Sequence, residues 1–309
     1  MASEGILELI TSKFRKHDEW NMGKGKIANH LQIIRDGYFL KHFKSALQRR
    51  LIKGRLRISK NRQIIFNIYR DLKVILRKDD HLILWAYMYG LDKKMIETIE
   101  NILKPGDTVV DIGAHKGLYS LICSALVEDS GTVFSFEPVP LLFKGLKEHA
   151  DLNMVNNIFG YQCAVGKESR KAPFYISNRG GDEWSSLYRW NLAWNKGSDV
   201  EVINIDNWIK KKNIKKIDLL KVDAEGSEMD IIIGAEKTLG KGMIKAIIME
   251  FNPATQMAAN MSCRELYEVI RDKGYRWYQL PFKAGREIDG EVNKLNGLCD
   301  LIAISKIGS

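Results

Sequence analysis

The chain has 309 residues, of which 45% are hydrophobic, and it contains no repeat or low-complexity tract. This composition excludes a fibrous or coreless chain and fits one large or two modest domains. The formal net charge of +10 is concentrated in residues 1–80, which carry 19 Lys and Arg against 8 Asp and Glu, whereas the remainder carries −1.

The N-terminal sequence and the cysteines indicate where the protein works. The first residues lack the positively charged start and cleavage site of a secretion signal. No apolar run reaches the ~18 residues of a membrane-spanning helix. The four cysteines have neither CxxC nor zinc-ligand spacing, so we expect them to be reduced. A cytoplasmic protein, soluble or peripheral at a membrane, is therefore expected.

Residues 1–80 are predicted to form a helical, basic N-terminal extension, and residues 81–309 the main domain. Apolar side chains alternate with Lys and Arg around residues 42–63, as in helices that bind a membrane surface or a partner. Such a segment favours an anionic partner: phospholipid, nucleic acid or a phosphate-bearing carrier. A solvated capping subdomain has the same composition, and both interpretations stay open. Nothing indicates the oligomeric state.

From residue 108 onwards, strands and helices alternate. Strands are predicted at 108–112, 132–136, 158–165 and 217–222, at a segment ending in Glu250, and at 275–280 and 298–305. Helices are predicted at 92–103, 117–127, 140–152, 206–212, 227–239 and 262–273. The expected fold is α/β: a doubly wound, mostly parallel, seven-stranded Rossmann-like sheet with an antiparallel final strand. Right-handed crossovers place the ligand at the carboxyl ends of its strands.

A glycine turn follows the first strand of this series. Its pattern is D-x-G-x-x-x-G, formed by Asp111, Gly113 and Gly117, and Glu137 ends the next strand. Dinucleotide folds carry G-x-G-x-x-G, so the cofactor here need not contain a pyrophosphate. Asp111 suits a positively charged group, and Glu137 can accept both hydroxyls of a ribose. Together these residues fit S-adenosylmethionine.

The whole pattern resembles the FkbM family of S-adenosylmethionine-dependent methyltransferases. The resemblance covers roughly residues 82–251, more faintly to 305, and is carried by VVDIGAHKGLYS, FSFEPVP, CAVG, WSSL, KVDAEGSE and IIMEFNP. It implies a Rossmann-like methyltransferase that methylates a hydroxyl of a glycan, a carrier-linked sugar or another secondary metabolite. The cofactor-binding residues that it implies are Asp111, Gly113, Ala114, Gly117, Glu137, Pro138, Cys163, Ala164 and Asp223.

Four carboxylates are expected to converge at two adjacent strand ends, and the catalytic candidates among them are Asp223, Glu225 and Glu250. A carboxylate there can deprotonate an acceptor hydroxyl, which is a poor nucleophile while protonated. Asp223 could equally orient the cofactor. Glu228 is expected to serve the N-terminus of the helix that follows. A divalent metal at these oxygens is the less favoured alternative, and no metal site is assigned.

His115 is a fourth catalytic candidate, because it stands where the family usually has Asn. Imidazole titrates near neutral pH and could act as a base. The favoured interpretation is that His115 replaces Asn as a hydrogen-bonding residue of the turn. His149, on a predicted helix, is expected to be structural.

The irregular stretch around Trp184, Ser185 and Ser186 is the predicted acceptor-binding segment, because loops at this sheet edge often contact substrates. Two other functions remain open. The basic N-terminal segment favours a nucleic-acid ribose 2'-O-methyltransferase, although the acidic run 225–228 lies where such an enzyme needs a Lys. The third hypothesis is a membrane-docked binding module that uses the fold as a scaffold.

Overall fold

The computed structural model describes residues 38–78, 80–177, 185–189, 194–283, 285–288 and 299–306. The chain forms two compact units, Met1–Ile58 and Ser59–Ser309. In the first unit the described element is helix α1 (Tyr38–Ile58), which contains seven Lys and Arg and neither Asp nor Glu. None of the helices described has the length and apolar character needed to cross a bilayer.

The second unit alternates helices and strands. Its helices are α2 (His81–Tyr89), α3 (Lys93–Ile102), α4 (Leu118–Val127), α5 (Pro140–Leu152), α6 (Ile205–Lys212), α7 (Glu228–Gly234), α8 (Glu236–Gly240), α9 (Pro253–Ala258) and α10 (Cys263–Asp272). Its strands are β1 (Gln63–Tyr69), β2 (Leu72–Arg77), β3 (Thr108–Ile112), β4 (Thr132–Phe136), β5 (Ile158–Tyr161), β6 (Ala164–Gly166), β7 (Arg170–Ser177), β8 (Ser185–Ser186), β9 (Trp194–Asn204), β10 (Ile217–Val222), β11 (Ile244–Phe251), β12 (Tyr275–Gln279), β13 (Glu287–Ile288) and β14 (Cys299–Ser305).

The helices and strands predicted from residue 92 onwards lie within two residues of observed elements, with two differences. The helix expected at 227–239 is divided at Ala235 into α7 and α8. The strand expected at 158–165 is divided as well, because β5 belongs to the main sheet and β6 to a second one.

The helical prediction for residues 1–80 is wrong between Gln63 and Arg77, where β1 and β2 form an antiparallel hairpin. Buried Ile64 next to exposed Ile65 shows the two-residue period of a half-buried strand. Asn153, the residue that follows α5, connects the hairpin to that helix. Its side chain accepts from the backbone N–H of Lys73 at 2.7 Å and donates to the carbonyl of Lys73 at 2.7 Å. The hairpin thus belongs to the second unit, which begins at Ser59 and not at the predicted residue 81.

The main sheet has the strand order β13-β12-β14-β11-β10-β3-β4-β5. The pairs from β11 to β5 are all parallel, whereas β14 is antiparallel to both β11 and β12. The sheet therefore matches the predicted doubly wound form, with seven strands plus the two-residue β13 at the edge. A four-stranded sheet, β6-β9-β7-β8, follows β5 in the chain.

The sheet is buried on both faces because its central strands are mainly apolar. All six residues of β10 are buried. Alternate residues contribute to opposite cores: Leu220 and Val222 pack with Ile112 on one side, and Leu219 packs with Val109 on the other. Fully burying each such side chain stabilises the fold by roughly 1.5–3 kcal/mol. This rigid centre fixes the strand ends that carry the site.

Candidate active site

The site lies where the chain changes direction across the sheet. From β3 the strand order runs through β4 to β5 on one side and through β10 to β11 on the other. Loops leaving β3 and β10 separate there and open a crevice beyond the carboxyl ends of both strands. A cavity of about 260 Å³ occupies this position, which we call the site cavity.

Ten of the residues predicted for the site line this cavity: Gly113, His115, Glu137, Pro138, Cys163, Ala164, Ser185, Asp223, Glu225 and Glu250. Asp111, Ala114, Gly117 and Ser186 lie beside it without forming its wall. Trp184 is outside the described residues. The topology thus unites residues from Gly113 to Glu250 in one cavity wall.

The turn after β3 approaches the loop after β10 so closely that Gly113 is required. Gly113 has a φ of 77°, and a Cβ on it would lie 1.8 Å from the carbonyl oxygen of Asp223. The backbone N–H groups of Gly113 and Ala114 both donate to the carbonyl of Phe136, at 3.0 Å each. Any side chain at position 113 would therefore push apart the two loops that carry the site.

Glu137 is held at the end of β4 by backbone hydrogen bonds. One carboxylate oxygen accepts from the N–H of His115 and the other from the N–H of Val139, both at 2.8 Å. Burial raises the pKa of Glu137 to about 7, although these two hydrogen bonds lower it. Each oxygen keeps a lone pair for a further donor. The side chain is thus oriented to bind two hydroxyls when it is ionised.

Replacing Glu137 with Gln should weaken binding of S-adenosylhomocysteine by about 10- to 100-fold, since hydrogen bonds to a charged group contribute ~1.5–3 kcal/mol. In the wild type the affinity should fall as the pH drops from 8 to 6, because protonation of a carboxyl with a pKa of about 7 removes an acceptor. The Gln variant should lack this pH dependence. Calorimetric titrations at pH 6, 7 and 8 measure both effects; identical pH slopes in the two proteins would exclude Glu137 as the titrating ligand.

Asp111 does not line the cavity but takes part in a buried ion pair beneath the turn. One oxygen accepts from the hydroxyl of Ser120 at 2.6 Å, and the other lies 3.8 Å from the ammonium of Lys221. Burial raises the pKa of Asp111, while the charge of Lys221 lowers it. A direct contact between Asp111 and the cofactor stays a prediction; the contacts that the structure describes are structural.

Lys221 is a component of the site that the sequence analysis missed. Its ammonium is buried and lies 3.2 Å from a carboxylate oxygen of Asp223, a side chain that is 39% exposed. Burial would lower the pKa of Lys221, but the negative charges of Asp223 and Asp111 raise it above its ordinary value. Lys221 is the β-sheet partner of Asp111 on the neighbouring parallel strand. A Lys two residues before Asp223, in a strand that is apolar apart from Lys221 and Asp218, was the signal available in the sequence.

Asp223, Glu225 and Glu250 converge as predicted. One carboxylate oxygen from each lies within 4.8 Å of the others. Burial, and then the charges of Asp223 and Glu225, raise the pKa of Glu250 to about 10, so Glu250 is protonated at neutral pH. Asp300, the antiparallel partner of Glu250, also has a raised pKa of about 6 because of burial. Sequence reasoning did not include Asp300, which comes from the last strand.

The geometry of the trio is that of a metal site, but its charges are not. Asp223 is paired with the ammonium of Lys221 at 3.2 Å. A hard divalent cation binds ionised oxygen ligands that lack another counter-ion. The ion pair between Asp223 and Lys221 therefore favours proton transfer over metal binding.

Glu228 supports the loop of residues 223–228, which we call the acidic loop, and does not enter the cavity. Its carboxylate accepts from the N–H groups of Ala224 and Gly226 at 3.0 and 2.9 Å, and from the side-chain amide of Gln256. Burial raises the pKa of Glu228 to about 7. These contacts hold the backbone of Glu225 at a φ of 49°. Glu228 thus has the supporting role that its place at a helix N-terminus predicts.

His115 lines the cavity with a neutral ring. Neither ring nitrogen has a hydrogen-bond partner in the described part of the chain, and both atoms are buried. Burial, followed by the charge of Lys116, lowers the pKa of His115 to about 3. An imidazole with this pKa is a weak base, but it offers one donor and one acceptor. These observations support the hydrogen-bonding role of His115.

The His115→Asn variant should retain kcat/KM within about tenfold of the wild type, because Asn also offers a donor and an acceptor. A general base would behave differently, since its loss costs about 10²–10⁴-fold. Steady-state kinetics of His115→Asn and His115→Ala measure the difference. A loss above 100-fold in His115→Asn would assign His115 as the base.

Cys163, Ala164 and Pro138 form an apolar part of the wall, together with Phe174. Burial raises the pKa of the Cys163 thiol to about 12, so it stays neutral. A neutral, apolar slot beside Glu137 suits a planar base, as expected for the adenine. That assignment remains a prediction.

The two serines of the predicted acceptor-binding segment have different environments. Ser185 lines the cavity. Ser186 is buried and donates to the carbonyl of Glu225 at 2.7 Å, while its oxygen accepts from the N–H of Tyr188 at 3.0 Å. Ser186 thus ties β8 to the acidic loop, and a direct acceptor contact is expected from Ser185 alone.

Two buried contacts connect the hairpin and the start of α2 to the glycine turn. Lys116, inside the turn, forms a buried ion pair with Asp80, which precedes α2. His149 donates from Nδ1 to the carbonyl of Lys116 at 2.8 Å and accepts the N–H of Ile75 on Nε2 at 3.0 Å. Burial lowers the pKa of His149, which keeps the neutral tautomer that both bonds need. His149 is structural, as expected.

A doubly wound sheet with an antiparallel final strand, a glycine turn after β3 and an acid after β4 defines a Rossmann-like methyltransferase. The chain belongs to a particular family of this class, since the methyltransferase FkbM domain matches residues 111–277, more than half of the chain. The protein is therefore an FkbM-family methyltransferase.

Three characterised relatives show moderate similarity. The 2-O-methyltransferase NoeI of Sinorhizobium fredii is 23% identical over 203 residues, which cover 61% of this chain and 79% of NoeI. The 31-O-demethyl-FK506 methyltransferase FkbM of Streptomyces tacrolimicus is 31% identical over 43% of this chain and 61% of its own length. The hexuronic acid methyltransferase AglP of Haloferax volcanii is 27% identical over 43% of this chain and 52% of its own length.

Among solved structures, the methyltransferase FkbM from Methylobacillus flagellatus has a TM-score of 0.41 and 14% identity. The similarity covers 68% of this chain and 50% of that one. A similarity this low says nothing about the acceptor.

Proposed function

We propose that the protein transfers the methyl group of S-adenosylmethionine to a hydroxyl oxygen of a glycan, a carrier-linked sugar or a related secondary metabolite. The observation that carries this proposal is the convergence of Asp223, Glu225 and Glu250 in the same cavity as Glu137. The names of the relatives support it, because two of them specify methylation at oxygen and a third specifies a hexuronic acid.

The polar groups of the site cavity fit this cofactor. Glu137 keeps acceptor capacity for a ribose diol, and the ring nitrogens of His115 have no partner among the described residues. Gly113 contributes backbone to the cavity wall, and its lack of a Cβ lets that wall form against the carbonyl of Asp223. When bound, S-adenosylmethionine supplies a methyl group that its sulfonium charge has already activated.

The protein's own contribution is proton transfer and positioning. Asp223 or Glu225 takes the proton of the acceptor hydroxyl, which raises the nucleophilicity of the oxygen. Glu250 is neutral because its pKa is about 10, so it can donate a hydrogen bond. Its partner is either the acceptor or the carbonyl oxygen of the side chain that has taken the proton, Asp223 or Glu225. Lys221 holds Asp223 in place from below at 3.2 Å. Orientation of the two reactants provides a further large share of the rate.

The purified full chain, incubated with labelled S-adenosylmethionine and hydroxylated glycan acceptors, should release S-adenosylhomocysteine and label an acceptor oxygen. EDTA should leave the rate unchanged, because the ammonium of Lys221 already supplies the positive charge beside Asp223. Folded protein that does not bind S-adenosylhomocysteine in calorimetry would contradict the proposal.

The structure offers less support for a nucleic-acid ribose methyltransferase. Binding of a polynucleotide requires Lys and Arg at its phosphates. Among the described residues that line the site cavity there is neither Lys nor Arg, and Lys221 is buried beneath Asp223. A salt-sensitive gel shift with RNA would restore this alternative.

An anionic partner for the N-terminal segment stays a separate proposal, supported by the seven cations of α1. Each Lys or Arg close to an anionic membrane contributes about 1 kcal/mol. The full chain should therefore float with vesicles that contain phosphatidylserine and not with neutral ones, and reversal of charge at Arg49, Arg50 and Lys53 should abolish flotation. Equal flotation with both vesicle types would contradict an electrostatic interaction.

A further inference from the structure

Helix α2 exposes two large aromatic side chains. Trp85 is 56% exposed and Tyr89 is 45% exposed, and their ring centroids lie 4.4 Å apart. On another side of the same helix, Ile83 and Ala86 are buried and pack the helix against the rest of the second unit. Exposed aromatic pairs are costly to leave in water and commonly mark a binding surface.

The aromatic pair continues the wall of the site cavity. Leu82, in the first turn of α2, lines the cavity. Residues 82, 85 and 89 are three and four positions apart, so they form one stripe along a helix. The ion pair between Asp80 and Lys116 fixes the start of this helix to the glycine turn. The stripe therefore leads from the cofactor cavity to the surface.

The size of the cavity requires a binding surface outside it. Its volume of about 260 Å³ is below the ~300–1,000 Å³ of typical small-molecule sites. A nucleoside cofactor with an amino-acid tail occupies most of that space. Only the reacting part of an acceptor can enter, and the rest of the acceptor must lie on the surface beside the mouth.

The stripe also indicates what kind of molecule it binds. Helix α2 has the sequence HLILWAYMY, without Lys, Arg, Asp or Glu. Such a surface does not attract phosphates or anionic lipid, which need cations. A sugar ring, with an apolar C–H face and hydroxyls at its rim, matches two aromatic rings that combine apolar faces with polar tips.

We propose that Trp85 and Tyr89 form an acceptor subsite that binds a neutral sugar ring next to the one being methylated. This inference rests on the proposed function, because it assumes that the acceptor hydroxyl reaches Asp223 and Glu225 through the mouth of the cavity. The subsite binds by stacking and excludes water from the rings, and it takes no part in the chemical step.

The test uses the full chain saturated with S-adenosylhomocysteine and titrated with chitotetraose, cellotetraose and maltotetraose, with binding followed by calorimetry and saturation-transfer NMR. Trp85→Ala and Tyr89→Ala should each weaken binding of the tetrasaccharide at least tenfold, and Trp85→Phe should restore most of it. Phe159→Ala is the matched control, because Phe159 is 49% exposed on β5 and does not line the cavity. All four variants should bind S-adenosylhomocysteine like the wild type.

Two results would overturn the subsite. In the first, Trp85→Ala and Tyr89→Ala bind the tetrasaccharide as tightly as the wild type does. In the second, the wild type binds S-adenosylhomocysteine but none of the tetrasaccharides. Binding of adenosine oligonucleotides that depends on Trp85 would also overturn it, in favour of a nucleobase. A folded wild type that does not bind S-adenosylhomocysteine would instead refute the proposed function itself.

Discussion

Replacing Asp223 with Asn should lower kcat by about 10²–10⁴-fold, the usual contribution of a general base. The substitution preserves the shape of the side chain and the contact with Lys221, but it removes the ability to accept a proton. The Kd for S-adenosylhomocysteine should change by less than about tenfold, since the substitution leaves Glu137, the proposed ligand of the nucleoside end, unchanged. Single-turnover rates and calorimetry on the same preparations separate these effects.

Three further variants make this result specific. Glu250→Gln should keep most of the activity, because a carboxyl with a pKa of about 10 is already neutral. Asp129→Asn, which alters an exposed carboxylate after α4, should have no effect. If Glu225→Gln shows the loss and Asp223→Asn does not, Glu225 is the proton acceptor. A loss confined to cofactor affinity would make Asp223 a cofactor-orienting residue.

The central fold was predictable because its physics is local. β3, β4 and β10 are short apolar runs that end in an acid or a turn, and buried parallel strands have this composition. Parallel topology then brings their carboxyl ends to one edge whatever their separation in sequence. For that reason the sequence alone predicts that Glu137, Asp223 and Glu250 lie at one site.

The rest of the structure depends on contacts between residues that are far apart in the sequence, and a single sequence does not show which residues these are. The β1–β2 hairpin follows a basic helical segment, and it is held by Asn153 and His149, about 80 residues away in the sequence. Asp300 lies beside Glu250 because β14 inserts between β11 and β12. The position of Leu82 follows from the ion pair between Asp80 and Lys116.

The buried ammonium of Lys221 connects the glycine turn with the acidic loop. Lys221 lies between Asp111, under the turn, and Asp223, which faces the cavity. Asp111 lies on β3, and Asp223 lies in the loop after β10, which Gly113 allows to approach the turn after β3. The charge of Lys221 therefore fixes the relative position of the two halves of the site, and it does so from a strand of which no residue lines the site cavity.

Replacing Lys221 with Met should destabilise the folded protein by about 3–5 kcal/mol, because it leaves the buried Asp111 carboxylate without its counter-ion. The pKa of Asp111 is already raised by burial, and loss of the ammonium raises it further. A folded-state pKa above the unfolded value means that stability is lost as the pH rises through it, so the deficit should be larger at pH 8 than at pH 5.

Urea unfolding of the variant and the wild type at both pH values measures this deficit. Asp111→Asn combined with Lys221→Met should recover part of the lost stability, because the double variant buries a neutral pair. Lys196→Met is the matched control on strand β9: its ammonium lies 3.6 Å from Asp199 and both side chains are exposed, and exposed ion pairs contribute only about 0.2–1 kcal/mol. Equal losses in Lys221→Met and Lys196→Met, or a deficit independent of pH, would mean that Lys221 contributes packing and not charge.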